Sequence, residues 1–515
     1  MGEPDLRVSR ERAIGELGDR RFDLLVVGGG IVGAGIAAHA ARVGLAVALV
    51  DAGDFGGGTS SASSKLVHGG LRYLRLGDVG LVREAHHERR ALSTIVAPHL
   101  VHRIPFLLPL YQGGPYKPAF VQSGILLYST LARSRLNWLV GAARARELVP
   151  PLRLEGLRSC ALYADAWTND ARLCLANVRA AAEAGATVLN RAEVVGLRST
   201  GGPLTGADIR VDGLDVEVHA RVCVNAAGPW VDQVRRLEDP TAGTSVRLSK
   251  GAHVVVEAEG EWGAALTVPQ DEVRVTFAVP WYGMLLLGTT ETPWEEDADR
   301  VQATPEDVEQ ILAEAAVALD PALLSPDGVR AAYAGLRVLP AGEGESVSAR
   351  RETVFTRSPG GMLNVAGGKL TTYRRIALET LERLRADLGL HRLDTRPWPL
   401  PGAAGLDETV LPRDLDPDVR VHLLHLYGNL AGEVLASADG DPSLLERLHP
   451  SGPDIGAQVR YAATHEWART ADDVVRRRTT CFYRGLADRA LHDRVDELLG
   501  TVPGRGGVDR LASGT

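Results

Sequence analysis

Residues 22–51, FDLLVVGGGIVGAGIAAHAARVGLAVALVD, constrain this chain more than any other stretch. Phe22 to Val27 is an apolar run of strand length, Ile31 to Val43 is an alanine-rich run of helical length, and Ala46 to Val50 is a second short strand that ends on Asp51. The glycines Gly28, Gly30 and Gly33 fall at the turn between the first strand and the helix, which makes the stretch a complete βαβ unit. Gly28 permits the tight turn, Gly30 lets the backbone approach a pyrophosphate, and Gly33 lets the helix pack closely on the strands. The phosphates would face unpaired N–H groups and the positive end of the helix dipole. Asp51 is placed to accept hydrogen bonds from an adenosine ribose. An acid rather than an arginine at that tip argues against a 2′-phosphate and leaves FAD or NAD.

At 515 residues the chain is long enough for two or three domains, and 45% hydrophobic with 24% charged residues is the balance of a globular protein. Acidic residues number 65 against 57 basic ones, a net charge of −8 that does nothing to recruit nucleic acid, so none is expected as a partner. An anionic small substrate would need a local basic cluster. Cys160, Cys174, Cys223 and Cys481 are scattered and form no CxxC pair, so no iron–sulfur, zinc or redox-disulfide site is expected, and no metal. The charged N-terminus has no apolar core and reads as a short surface helix rather than a signal peptide. The segment nearest to a membrane span, Ala119 to Ala132, is too short for one and reads either as a buried helix or as an interfacial helix dipping into one leaflet.

Further along, GGGTSSASSKLVHGGLRYLR at 56–75 combines small residues, which allow backbone to approach a bulky planar ligand, with Lys65, His68, Arg72 and Tyr73, which suit a bound anion. Residues 191–219 alternate like antiparallel strands. RVCVNAAGPW at 221–230 reads as an apolar strand that ends on small residues. Arg274 to Val279 and Met284 to Gly288 read as a hairpin across Pro-Trp-Tyr-Gly, and Thr304 to Leu319 as an amphipathic helix. YAGLRVLP places Arg337 in an apolar strand, where it needs an anion, and Arg350 and Arg351 follow in a turn. LNVAGGKLTTYRRI at 363–376 sets Gly367, Gly368 and Lys369 before a helix N-terminus, an arrangement that stabilises negative charge on a reduced flavin. After Gly405 the composition turns helical.

The strings GGGIVGAG, TSSASSKLVHGGLRYL, NAAGPW, KGAHVVV, GTTE, AGLRVLP, GGKLTTYR and EWARTADDVVRRRT, in this order, resemble the FAD-dependent, quinone-linked glycerol-3-phosphate dehydrogenases of the aerobic type. The resemblance runs from about residue 20 to 480. It implies FAD held by Gly28, Gly30, Gly33, Asp51, Thr59, Ser60, Ser61, Ser64, Lys65, Leu66, His68, Ala227, Gly228, Gly368, Lys369, Leu370 and Thr371. Arg72, Tyr73, Arg337, Arg351 and Lys369 would meet the substrate phosphate. The substrate would be sn-glycerol 3-phosphate, the electron acceptor a quinone, and the location cytoplasmic with peripheral attachment to the inner face of the membrane; a homodimer is compatible with it. The sequence departs from the family at Glu291, where aspartate is more frequent, and at Val338, where proline is usual.

The expected fold is α/β. A two-dinucleotide-domain-type, Rossmann-like FAD-binding domain at 21–85, 160–245 and 340–390 is interleaved with an antiparallel-sheet substrate domain at 86–159 and 246–339. A helical extension at 1–20, an all-α domain at 395–500 and a flexible tail at 501–515 complete the chain. The expected chemistry is removal of the C2 hydroxyl proton with hydride transfer to flavin N5. His253 is the first candidate base, His68 the second, and Arg337 the electrostatic clamp. Three other readings stay open at this point: a glycerol-3-phosphate oxidase using dioxygen, an oxidase of amines or hydroxy acids, and a non-enzymatic flavin-binding protein.

Overall fold

The computed structural model describes residues 10–70, 78–116, 118–131, 138–272, 274–341, 353–405, 411–413 and 415–501. Two sheets organise it. In the first, Leu363–Gly367, Leu214–Asn225, Arg21–Val27, Val47–Val50 and Thr187–Leu189 run parallel in that order, with Thr353–Arg357 antiparallel at one edge. Ala192–Ser199 and Leu204–Val211 extend it as the expected antiparallel meander. The parallel strands are covered on both faces, which is why LLVV and VALV read as continuous apolar runs rather than alternating ones. The helix Ile31–Arg42 is buried almost all round between the helices Asp170–Glu183 and Tyr373–Arg383. A Cβ at Gly35 would stand 2.9 Å from the Tyr373 ring, so small residues let the helices close.

The second sheet runs Thr292–Trp294, Val246–Glu257, Met284–Gly288, Val275–Trp281, Ala265–Pro269, Val101–Tyr111, Leu157–Thr168 and Leu66–Val67, with Val329–Pro340 paired along the length of Val246–Glu257. The expected hairpin forms, but its loop is shorter than read from sequence. Trp281 pairs with Met284, leaving Tyr282 and Gly283 as a two-residue turn with φ of 50° and 77°. The passage back to the first sheet also lies later than residue 160. Leu157–Thr168 stays paired with Val101–Tyr111 through Thr168, and the crossing comes at Asn169, which caps the Asp170–Glu183 helix through a bond from Arg172 N. A helix begins at Pro305, fastened by a Thr304–Asp307 capping box.

Helices from Pro417 onward form two further apolar clusters. Buried ion pairs fasten them to the helix Asp170–Glu183, through Arg172 to Glu466 at 2.6 Å, and to the loop after Val47–Val50, through Arg478 and Arg477 to Asp54. The apolar helix expected at 119–132 is Pro118–Leu131; Val121, Ile125 and Tyr128 are buried, while Leu126 and Leu127 face outward. Among the described residues no helix is long and apolar enough to cross a membrane.

Candidate active site

The loops that carry the glycine motifs leave the C-terminal ends of parallel strands, where open α/β sheets bind ligands. Gly28 follows Val27, Asp51 follows Val50, Ala227 and Gly228 follow Asn225, and Gly368 and Lys369 follow Gly367. Together with a strand pair of the second sheet they enclose a cavity of about 740 Å³. The cavity has the features an FAD needs. A Cβ at Gly28 would meet Ala226 O at 2.6 Å, and one at Gly33 would meet Gly28 O at 1.9 Å, so the turn cannot carry side chains there. Ser60 Oγ accepts from Ile31 N at 2.9 Å and fixes the approach to the helix N-terminus.

Of the residues expected around the cofactor, Gly28, Gly30, Asp51, Thr59, Ser60, Ser64, Leu66, His68, Ala227, Gly228, Gly368, Lys369, Leu370 and Thr371 line this cavity. Gly33 lies behind it and serves packing. Asp51 lines it too, but its oxygens already accept from Gly29 N at 2.6 Å and Gly53 N at 2.8 Å. Burial pushes its pKa up against those two donors, and each oxygen keeps a lone pair for a ribose hydroxyl.

Two expectations need correcting. Lys65 does not extend its ammonium into the cavity: the side chain is fully buried and bonds Asp170 Oδ1 at 2.6 Å, Tyr483 Oη at 3.1 Å and Ser61 O at 3.2 Å. Ser61 also lies outside the cavity wall. Its carbonyl serves Lys65 and Tyr483, and it faces a smaller adjoining chamber. The cause is the same for both, since Asp170 and Tyr483 offer the ammonium a desolvated counter-charge and a hydroxyl on the far side of the loop. Arg72, Tyr73 and Arg351 lie outside the described residues.

The reactive wall comes from strand register. Val246–Glu257 and Val329–Pro340 are antiparallel with Ser249 opposite Arg337, Gly251 opposite Gly335 and His253 opposite Tyr333. Alternation therefore puts Gly251, His253, Tyr333, Gly335 and Arg337 on one face. The His253 and Tyr333 rings stack at 5.0 Å. The Arg337 guanidinium lies across Gly251, where a Cβ would come within 2.5 Å of Nη2. It donates to Thr289 Oγ1 at 2.8 Å, to Thr290 O at 3.1 Å and to Lys250 O at 3.3 Å.

Both candidate bases line the cavity. His253 Nε2 meets Ser64 Oγ at 2.8 Å. Burial, and then the charges of Arg337 and Lys65, hold its pKa well below the ordinary histidine value, so the ring is neutral. His68 is tied through its backbone N to Thr371 Oγ1 at 3.1 Å, and its ring lies near Phe277. Sequence reasoning missed Trp230, Gly335 and Leu336 on the walls, Tyr333 in the smaller adjoining chamber, and Asp170 behind them. Period-two alternation counted outward from Arg337 would have found Tyr333 and Gly335. Nothing local marks Asp170.

Residues 23–374 match the family model described as FAD dependent oxidoreductase, and residues 393–504 match the C-terminal domain of alpha-glycerophosphate oxidase. A glycerol-3-phosphate dehydrogenase of Mycobacterium leprae is 36% identical over 511 residues, 95% of this chain and 87% of that protein. The human mitochondrial glycerol-3-phosphate dehydrogenase is 35% identical, covering 93% of this chain and 70% of its own. Among solved structures, the glycerol-3-phosphate dehydrogenase of Bacillus halodurans complexed with FAD superposes with a TM-score of 0.76 at 29% identity, over 95% of this chain and 91% of that one.

Proposed function

Since the chain belongs to the family of FAD-dependent oxidoreductases and stands within it among the glycerol-3-phosphate dehydrogenases, we propose that it oxidises sn-glycerol 3-phosphate to dihydroxyacetone phosphate and passes the electrons to a quinone. The observation that carries this reading is the convergence of Ser64, His68, His253, Arg337 and Lys369 on the cavity that fits FAD. When bound, FAD supplies the hydride acceptor. His253 takes up the C2 hydroxyl proton by way of Ser64, whose Oγ rests on Nε2: Ser64 passes its own hydroxyl proton to Nε2 as it receives the one from C2. The neutral His253 ring keeps a lone pair available at mildly acid pH. Arg337, two positions along the same strand face from Gly335 and beside His253, steadies the oxygen at C2 as it becomes a carbonyl. Lys369 supplies a cation for the phosphate, and the carbon skeleton leaves with one hydride and one proton fewer.

Anaerobic mixing of the FAD-loaded protein with sn-glycerol 3-phosphate should bleach the flavin absorbance, while amines and hydroxy acids should not. Re-oxidation by a soluble quinone should outpace re-oxidation by dioxygen. Absence of bleaching refutes the assignment, and a faster reaction with dioxygen, with peroxide formed, replaces the dehydrogenase by an oxidase. Peripheral membrane attachment is supported by the outward face of the Pro118–Leu131 helix, where Leu126 and Leu127 are 54% and 44% exposed, and by Trp138, 48% exposed. Leu126→Ser with Leu127→Ser should reduce co-sedimentation with lipid vesicles; equal sedimentation would rule this face out.

A further inference from the structure

We propose that Lys65 and Tyr483 are positioning residues that hold Ser64 against His253, so that the C-terminal helical region helps to set the base of a reaction whose other parts lie in the two sheets. The proposal rests on the reading of His253 given above.

The segment from Ser61 to Lys65 is held at nearly every polar group. Ser61 O accepts from Lys65 Nζ at 3.2 Å and from Tyr483 Oη at 3.1 Å. Ser63 donates through N at 3.0 Å and through Oγ at 2.7 Å to Asp170 Oδ2, while its carbonyl accepts from Tyr333 Oη at 2.9 Å. Lys65 N donates to Ser63 Oγ at 3.0 Å, and Lys65 O accepts from Thr168 N at 2.8 Å. Ser64, between these anchors, turns its hydroxyl to His253. Lys65 itself has φ of 54°, a left-handed backbone that a lysine adopts only when its surroundings impose it.

The Lys65 ammonium lies under three rings, 4.5 Å from the centre of Tyr483, 5.1 Å from Trp281 and 5.3 Å from Tyr333. Burial alone would lower its pKa, but Asp170 and then Tyr483 outweigh that and hold it above the ordinary value. A fully desolvated ion pair is a poor source of stability, because apolar residues of similar volume often do as well. What the pair does provide is fixed direction. One carboxylate oxygen takes the ammonium and the other takes Ser63, which leaves Ser64 little freedom beyond its own rotamer. Tyr483 reaches the same loop from another part of the chain, and its ring also meets at 5.5 Å, near perpendicular, the Tyr333 ring on which His253 stacks.

The test compares FAD-loaded wild type with Tyr483→Phe, Ser64→Ala and the double variant, measuring thermal unfolding, flavin content, hydrogen exchange at residues 61–65 and anaerobic bleaching by sn-glycerol 3-phosphate. Ser64→Ala should slow bleaching about ten-fold and Tyr483→Phe about three- to ten-fold, with the apparent Kd for substrate little changed. The double variant should be no slower than Ser64→Ala, because both changes interrupt one line of support. Exchange at 61–65 should quicken in Tyr483→Phe. Lys65→Met combined with Asp170→Asn, which removes both buried charges together, should match Ser64→Ala. A wild-type rate in Tyr483→Phe, or rate losses that multiply in the double variant, overturns the proposal. An unchanged rate in Ser64→Ala overturns this proposal and the route through Ser64, while the role of His253 is tested on its own by His253→Gln.

Discussion

Replacing Arg337 by leucine probes the reactive wall most directly. The guanidinium bridges Thr289 Oγ1, Thr290 O and Lys250 O, so it is held in place before any substrate arrives. A preorganised donor aimed at charge that develops in the transition state is worth about 2.7–4 kcal/mol, or a factor of about 10²–10³ in rate. The lost bonds to a charged donor also cost stability, about 1.5–3 kcal/mol, so the comparison belongs well below the unfolding temperature. In an anaerobic stopped-flow experiment, Arg337→Leu should bleach about 10²–10³-fold more slowly at saturating sn-glycerol 3-phosphate while retaining its flavin. Glycerol separates the two roles open to this cation: if Arg337 serves the C2 oxygen, the variant loses the same factor on glycerol; if it serves the phosphate, glycerol is unaffected. Gly251→Ala provides a second route to the same end, since its Cβ would stand 2.5 Å from Nη2 and 2.6 Å from Cζ and displace the guanidinium without deleting it. A flavin-loaded Arg337→Leu enzyme that bleaches at the wild-type rate refutes the placement.

His253→Gln should lower the bleaching rate by about 10²–10⁴. Because the His253 pKa is held well down, its titration should add no acid limb to the wild-type rate as pH falls from 7 to 6, and a limb traced to this ring at the ordinary histidine value would contradict the depressed pKa. Asp54 accepts from Arg478, Arg477 and Asn190 at the junction of the C-terminal helices with the first sheet. Asp54→Asn should cost about 3–5 kcal/mol in thermal or urea unfolding, because it strands buried guanidinium charge; a loss under about 1 kcal/mol would show that the junction is held otherwise. Burial, helped by neighbouring cations, holds His39, His86 and His99 at about 3, and burial with His425 nearby holds His102 at about 4. These folded values lie below the unfolded value of 6.5, so the unfolded chain binds protons that the native one refuses. Stability should fall as pH drops from 6.5 toward 4, by about 1.4 kcal/mol per pH unit for each such histidine. His102→Phe should flatten that slope, and an unchanged slope would mean that the ring reaches solvent before it titrates.

The features legible in the linear chain are those whose physics is local. A strand, a glycine turn, an alanine-rich helix and a second strand follow one another within 30 residues at 22–51, so periodicity and glycine spacing were enough to place Gly28, Gly30, Gly33 and Asp51. The same holds for Lys369 at the end of a strand and for the Thr304–Asp307 capping box. Family-specific strings led to His253 and Arg337, but only strand pairing places them on one face, because a register is a relation between segments some eighty residues apart. Lys65 shows where reading along the chain fails. Its neighbours suggest a cation for the cofactor, whereas Asp170 and Tyr483, brought in by packing, give it a partner on the opposite side of the loop. A buried charge goes where its counter-charge is, and the folded chain alone decides where that is.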